Sequence, residues 1–149
     1  MKKAVYTFLI SFCSLAFVAQ KSSPEADRIL GTWLTGNGKA HILITKYGDK
    51  YSGKIIWMRE PNDENGKPKL DIKNPDETKR KNTKMGLTIL LGFTYDGDGE
   101  YENGTIYDPE NGKTYKCNIN IEGNDILKVR GYVGFSLIGR TDTWTRVKG

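Results

Sequence analysis

Cysteine and histidine are nearly missing from this chain: two cysteines and one histidine in 149 residues. One cysteine, Cys13, falls in an uncharged apolar leader, so Cys117 is left without an intramolecular disulfide partner. A lone histidine, His41, rules out a multi-histidine metal site, and adding Cys117 still gives too few ligands for structural zinc. No metal or other cofactor is expected. Blocks of lysine or arginine interleaved with aromatics are also absent, which argues against nucleic-acid binding. No apolar run is long enough to anchor the chain across a bilayer as a helix. What remains must fold around its own core, and the ~130 residues beyond the leader suffice for one domain.

Residues 1–19 have the layout of a cleaved secretory signal. Lys2 and Lys3 form a positive start, Ala4 to Val18 is apolar, and Ala19 is small enough to precede the cut. The expected product is an exported protein of the periplasm or extracellular space, with no transmembrane segment once matured. Removing Lys2 and Lys3 lowers the formal charge from +5 to +3, a mildly basic soluble surface. Residues 20–30 read as an N-terminal linker and 31–149 as a single domain.

Along that domain the apolar residues alternate with polar ones. In "KTYKCNINI", Tyr115, Cys117, Ile119 and Ile121 share one face and Lys116, Asn118 and Asn120 the other, the pattern of a half-buried antiparallel strand. "GTWLT", "AHILITK", "YSGKIIWMR", "GLTILLGF", "EYENGTIYD", "DILKVRGY" and "RTDTWTRV" bring the count of candidate strands to eight. The connections "KYGDKY", "DGDGE", "DPENGK" and "EGND" carry turn chemistry. Eight antiparallel strands close on themselves and remove the exposed edges. The expected fold is therefore all-β, an eight-stranded antiparallel up-and-down barrel.

Two segments stand apart. Residues 60–84 are poor in apolar side chains, and Asn74-Pro75-Asp76-Glu77 is a helix-start signature, predicting a short surface helix from Pro75 to Asn82 capped by Asn74. "MGLTILLGF" (85–93) is either a buried strand or an apolar plug; periodicity does not decide.

Barrel closure requires the first and last strands to meet. Trp33 is expected to plug one end, with the Arg146 guanidinium over its indole. Gly31-x-Trp33 on the first strand with an arginine on the last resembles the signature of the lipocalin, fatty-acid-binding and avidin superfamily. The order "GTW", "GKIIW", "NPD", "LLGF", "GTIYDPENGKTY", "LKVRGYVG", "LIGRTDTWTR" is similar to an exported bacterial family catalogued as domain of unknown function 2147, from Gly31 to Arg146. The resemblance implies a lipocalin-like barrel and carries no settled activity. The family's arginine-rich stretch before "LLGF" reads here as "KRKNTKMG".

No nucleophile or acid–base constellation stands out, so no enzymatic activity is expected. "GFSLIG" lacks the spacing and the strand–turn–helix setting of a nucleophile elbow, leaving Ser136 as a loop serine. Asp96, Asp98 and Glu100 have the alternation of a calcium loop without its later glycine and terminal glutamate, and read as a hairpin turn. Cys117, on an apolar face, is either a small buried hydrophobe or part of a cavity wall. Tyr51, Ile55, Trp57, Tyr115, Cys117, Ile119, Leu127 and Val129 are the candidate lining of the barrel interior. Asp108, Arg130 and Arg140, with Asp142, Tyr107 and Tyr132, form either a polar site or an ion-pair girdle at the mouth. Two functions follow: a barrel binding a small hydrophobic or amphipathic molecule, or an envelope module with a filled interior whose surface or 60–84 loop binds protein or glycan.

Overall fold

The structure is a computed structural model that describes residues 23–135 and 138–149. The proposed leader, Cys13 and Ser136 lie outside the described residues. Eight strands run in sequence order: β1 (Gly31–Leu34), β2 (Ala40–Tyr47), β3 (Lys50–Met58), β4 (Thr88–Gly97), β5 (Glu100–Asp108), β6 (Lys113–Glu122), β7 (Ile126–Tyr132) and β8 (Gly139–Arg146). Each pairs antiparallel with the next, and β8 returns to β1, so the sheet closes into a barrel. All eight candidate strands are present. Residues 85–93 resolve as strand from Thr88 onward.

Bulges adjust which side chains reach the interior. Tyr51 pairs with Phe93 and Gly53 with Leu90, so β4 spends one extra residue there, at Leu91-Gly92. Gly92 takes φ +78°, a conformation open to glycine. Leu90 and Phe93 both face inward as a result, and Leu91 is exposed. A second bulge lies on β5, where Asn103 has φ +61° between the pairs Tyr101–Ile119 and Gly104–Cys117. Gly104 then faces the Phe93 ring so closely that a Cβ would stand 2.5 Å from three ring atoms. Phe93 is fully buried and cannot retreat. Gly104→Ala is expected to cost about 1–3 kcal/mol through overpacking, measured as a lowered urea midpoint with unchanged slope.

A third bulge corrects one expectation. Ile42 pairs with Ile55 but His41 pairs with Trp57, leaving Ile56 as the extra residue. The period-two reading placed Trp57 on the face of Tyr51 and Ile55. The bulge inverts the face beyond Ile55, so Trp57 lies outside, stacked on His41 at 4.3 Å between ring centroids.

The segment 20–30 also differs from a plain linker. Ala26–Ile29 forms a 3-10 turn whose Ala26 and Ile29 enter the core. It packs across one end of the barrel as a floor. The Trp33 indole N–H donates to the Ile29 carbonyl at 2.8 Å, and the Tyr101 hydroxyl to the Ala26 carbonyl at 2.7 Å. Asp27 accepts from the Tyr51 hydroxyl at 2.8 Å and the Lys46 ammonium at 2.7 Å. Arg146 lies 4.2 Å from the Trp33 ring centroid and pairs directly with it across β1 and β8. Its guanidinium also donates to the carbonyls of Leu30 at 2.8 Å, Arg28 and Asn124. The first and last strands are thus sewn together over a buried indole, as the Gly-x-Trp and terminal arginine implied.

The 60–84 excursion holds a 3-10 turn, Glu77–Lys79, in place of a helix over 75–82. Asp76, not Asn74, caps it, accepting from the Thr78 N–H at 3.0 Å. Asn74 is buried and otherwise engaged: its amide donates to Asp71 at 2.7 Å and its carbonyl oxygen accepts the Asp76 N–H at 2.9 Å. The Arg80 guanidinium takes the Asn74 backbone carbonyl at 2.8 Å. These bonds fix the backbone locally and stop the turn from propagating.

Candidate functional site

The end opposite the floor is open. A cavity of about 920 Å³ descends into the barrel from there. Its lower wall is apolar, made by Ile42, Ile55, Ile89, Ile106, Val129 and Trp144 from six different strands. Alternation delivers one or two inward side chains from each strand, and the floor residues fill the opposite half. The opening lies among the β1–β2 and β7–β8 loops, the start of the 60–84 excursion and the β5–β6 turn.

Polar groups sit at defined heights in this cavity. Val129 is opposite Asp142 and Gly131 opposite Arg140, so both charged side chains face the interior above Trp144. Asp142 accepts the Trp144 indole N–H at 2.7 Å and the Gly36 N–H at 3.2 Å. It thereby ties the β1–β2 loop to β8. A Cβ on Gly36 would fall 2.0 Å from the Asp142 carboxylate and 2.9 Å from the Thr143 carbonyl, so a side chain there would displace Asp142 from its bonds. Asp108 lines the mouth while accepting the Glu110 N–H at 2.8 Å, which holds its turn.

The 60–84 excursion is a strap, not a loose loop. Asp71 is fully buried and accepts from the Tyr107 hydroxyl at 2.7 Å. Burial first, then this bond to a carboxylate, pushes the Tyr107 phenol up to about 12. Lys84 pairs with Glu110 at 2.7 Å and Lys73 donates to the Glu110 carbonyl at 2.6 Å. The strap is thus fastened to the β5–β6 hairpin and raises that side of the cavity wall.

The eight candidate lining residues divide three ways. Ile55, Tyr115 and Val129 line the cavity. Tyr51, Cys117, Ile119 and Leu127 are buried but pack in the core away from it. Trp57 is outside. Of the polar candidates, Asp108 and Arg140 reach the mouth, as do Tyr107 and Tyr132. Arg130 projects from the outer face, donating to Thr141 at 3.0 Å. Trp144 was missed as a lining residue although it stands two residues from Arg146 and so shares the face of the side chain expected over Trp33. Lys39 was missed because it precedes its strand, where alternation carries no signal; Arg59, the last residue of "YSGKIIWMR", has the parity of Tyr51 and Ile55 but was not singled out.

Cys117 is a core residue. Desolvation pushes its thiol up to about 12. Maleimide treatment followed by peptide mapping is expected to leave Cys117 unlabelled in the native protein and labelled in urea. Rapid native labelling would contradict that packing. Among the described residues no group of three or more His, Cys, Asp or Glu is placed to hold a metal ion, and no helix is long and apolar enough to cross a membrane.

A closed eight-strand barrel, floored at one end and open at the other over an apolar cavity, is a lipocalin-like architecture. The solved structure of protein HP1028 from Helicobacter pylori, described as belonging to the lipocalin family, superposes with a TM-score of 0.70 and 22% identity. The match covers 80% of this chain and 82% of that one, and at this identity it speaks to fold. The chain belongs to the family of uncharacterized proteins conserved in bacteria, DUF2147, whose pattern matches residues 31–146. No curated protein matches it.

Proposed function

We propose that this chain is an exported, non-enzymatic barrel protein that binds one small hydrophobic or amphipathic molecule inside the barrel. The observation that carries this reading is the cavity of about 920 Å³, apolar below and polar at its rim. Its size falls in the range of about 300–1,000 Å³ usual for small-molecule pockets, and its lining has the usual apolar body with a few placed polar groups. The lipocalin-like fold supports the same reading, and the leader-like residues 1–19 support export. Titration with the fluorescent apolar probe N-phenyl-1-naphthylamine tests it. Saturable enhancement at one probe per chain is expected; a linear, unsaturable response would argue for a closed interior.

A further inference from the structure

Given a cavity that takes a ligand, as proposed above, the geometry points to a single-chain amphiphile with an anionic head, its tail in the barrel and its head among Lys39, Arg59 and Arg140. All three cations line the mouth of the cavity. The Arg59 N–H donates to the Lys39 carbonyl at 2.9 Å, which sets the two side by side across β2 and β3. Gly38 leaves room for the guanidinium: a Cβ there would stand 2.9 Å from Arg59 Nη2. Arg140 closes the set from β8, because Asp142 draws the β1–β2 loop onto that strand through the Gly36 N–H.

What distinguishes these three is their lack of partners. Among the described residues none of their side chains makes an ion pair or a hydrogen bond. The other two mouth cations are engaged: Lys84 with Glu110 at 2.7 Å and Lys69 with Glu60 at 3.5 Å. The mouth's remaining carboxylates are also engaged, by neutral donors. Asp108 holds its own turn, and Asp142, one pleat deeper than Arg140, is held by the Trp144 and Gly36 N–H groups. Lys39, Arg59 and Arg140, exposed and without a direct partner, are therefore open to an external anion. Two guanidinium groups and an ammonium suit a carboxylate or a phosphate monoester through charge-assisted hydrogen bonds. The apolar wall from Ile42 to Trp144 lies directly below and accounts for a tail.

Displacement of the fluorescent probe by palmitate, palmitoyl lysophosphatidate and hexadecanol separates the possibilities, since the three share one tail length. At least one anionic ligand is expected to bind about tenfold or more tighter than hexadecanol; the anion that gains identifies the head. The triple variant Lys39→Gln, Arg59→Gln, Arg140→Gln is expected to bring the affinities within about twofold while hexadecanol binding persists. Arg130→Gln, on the outer face, serves as control and is expected to keep the preference. Equal binding of all three ligands by the wild-type protein overturns the head-group assignment and leaves the cavity reading standing. So does a preference that survives in the triple variant. Displacement by none of them overturns both.

Discussion

Trp33→Ala is expected to destabilise the protein by about 3–5 kcal/mol, the loss typical of removing a buried aromatic. Trp33 has no exposed surface and is engaged from every side. Its indole N–H holds the floor turn through Ile29, and its ring carries the Arg146 guanidinium. The cation–ring contact adds about 0.5–2 kcal/mol depending on desolvation. Truncation would leave a void at the seam where β1 meets β8, a short pairing of Trp33 with Arg146 and Leu34 with Thr145. A small domain has only about 5–15 kcal/mol in total, so this one change removes a large share. Urea unfolding followed by circular dichroism measures it. Trp57→Ala is the comparison: that residue is 39% exposed on the outer face, and its loss is expected to cost about 1 kcal/mol or less. Equal costs for the two tryptophans would contradict the floor described above.

The second large effect is on binding. Ile106 lines the cavity and is only half-buried, so a larger side chain has room to grow inward. Ile106→Trp is expected to fold normally and to displace three or four methylene contacts of a ligand. At ~0.8 kcal/mol per methylene that is a roughly hundredfold loss of affinity. Ile56→Trp places the same bulk on the outer face at the β3 bulge and is expected to leave affinity unchanged. Probe titration of the two variants checks the pair. If both weaken binding alike, the ligand sits elsewhere.

Strand count, order and closure were legible because a half-buried antiparallel strand alternates, and because a large aromatic at the first strand and an arginine at the last need each other. Glycine and asparagine marked the turns for the same local reason. What escaped was whatever depends on one extra residue. The bulge at Ile56 turns Trp57 outward, and no period-two count registers it until the pairing with His41 is known. The floor turn Ala26–Ile29 has no periodicity to betray it; Ile29 is buried because the barrel's end lies beneath it. Asn74 looked like a helix cap, but Asp71, buried against Tyr107, takes its amide and moves the cap to Asp76. The mouth was half legible. Asp108 and Arg140 occupy recognisable family segments, whereas Lys39 and Arg59 meet only because the β2–β3 pairing extends one bond past the strands.

Native mass spectrometry weighs the whole account in one experiment. Protein incubated with envelope extract and repurified is expected to carry about one small molecule per chain, released on unfolding and identifiable as apolar or amphipathic. Uniformly bare protein from several extracts, with no mass above the polypeptide, would contradict a ligand-holding barrel.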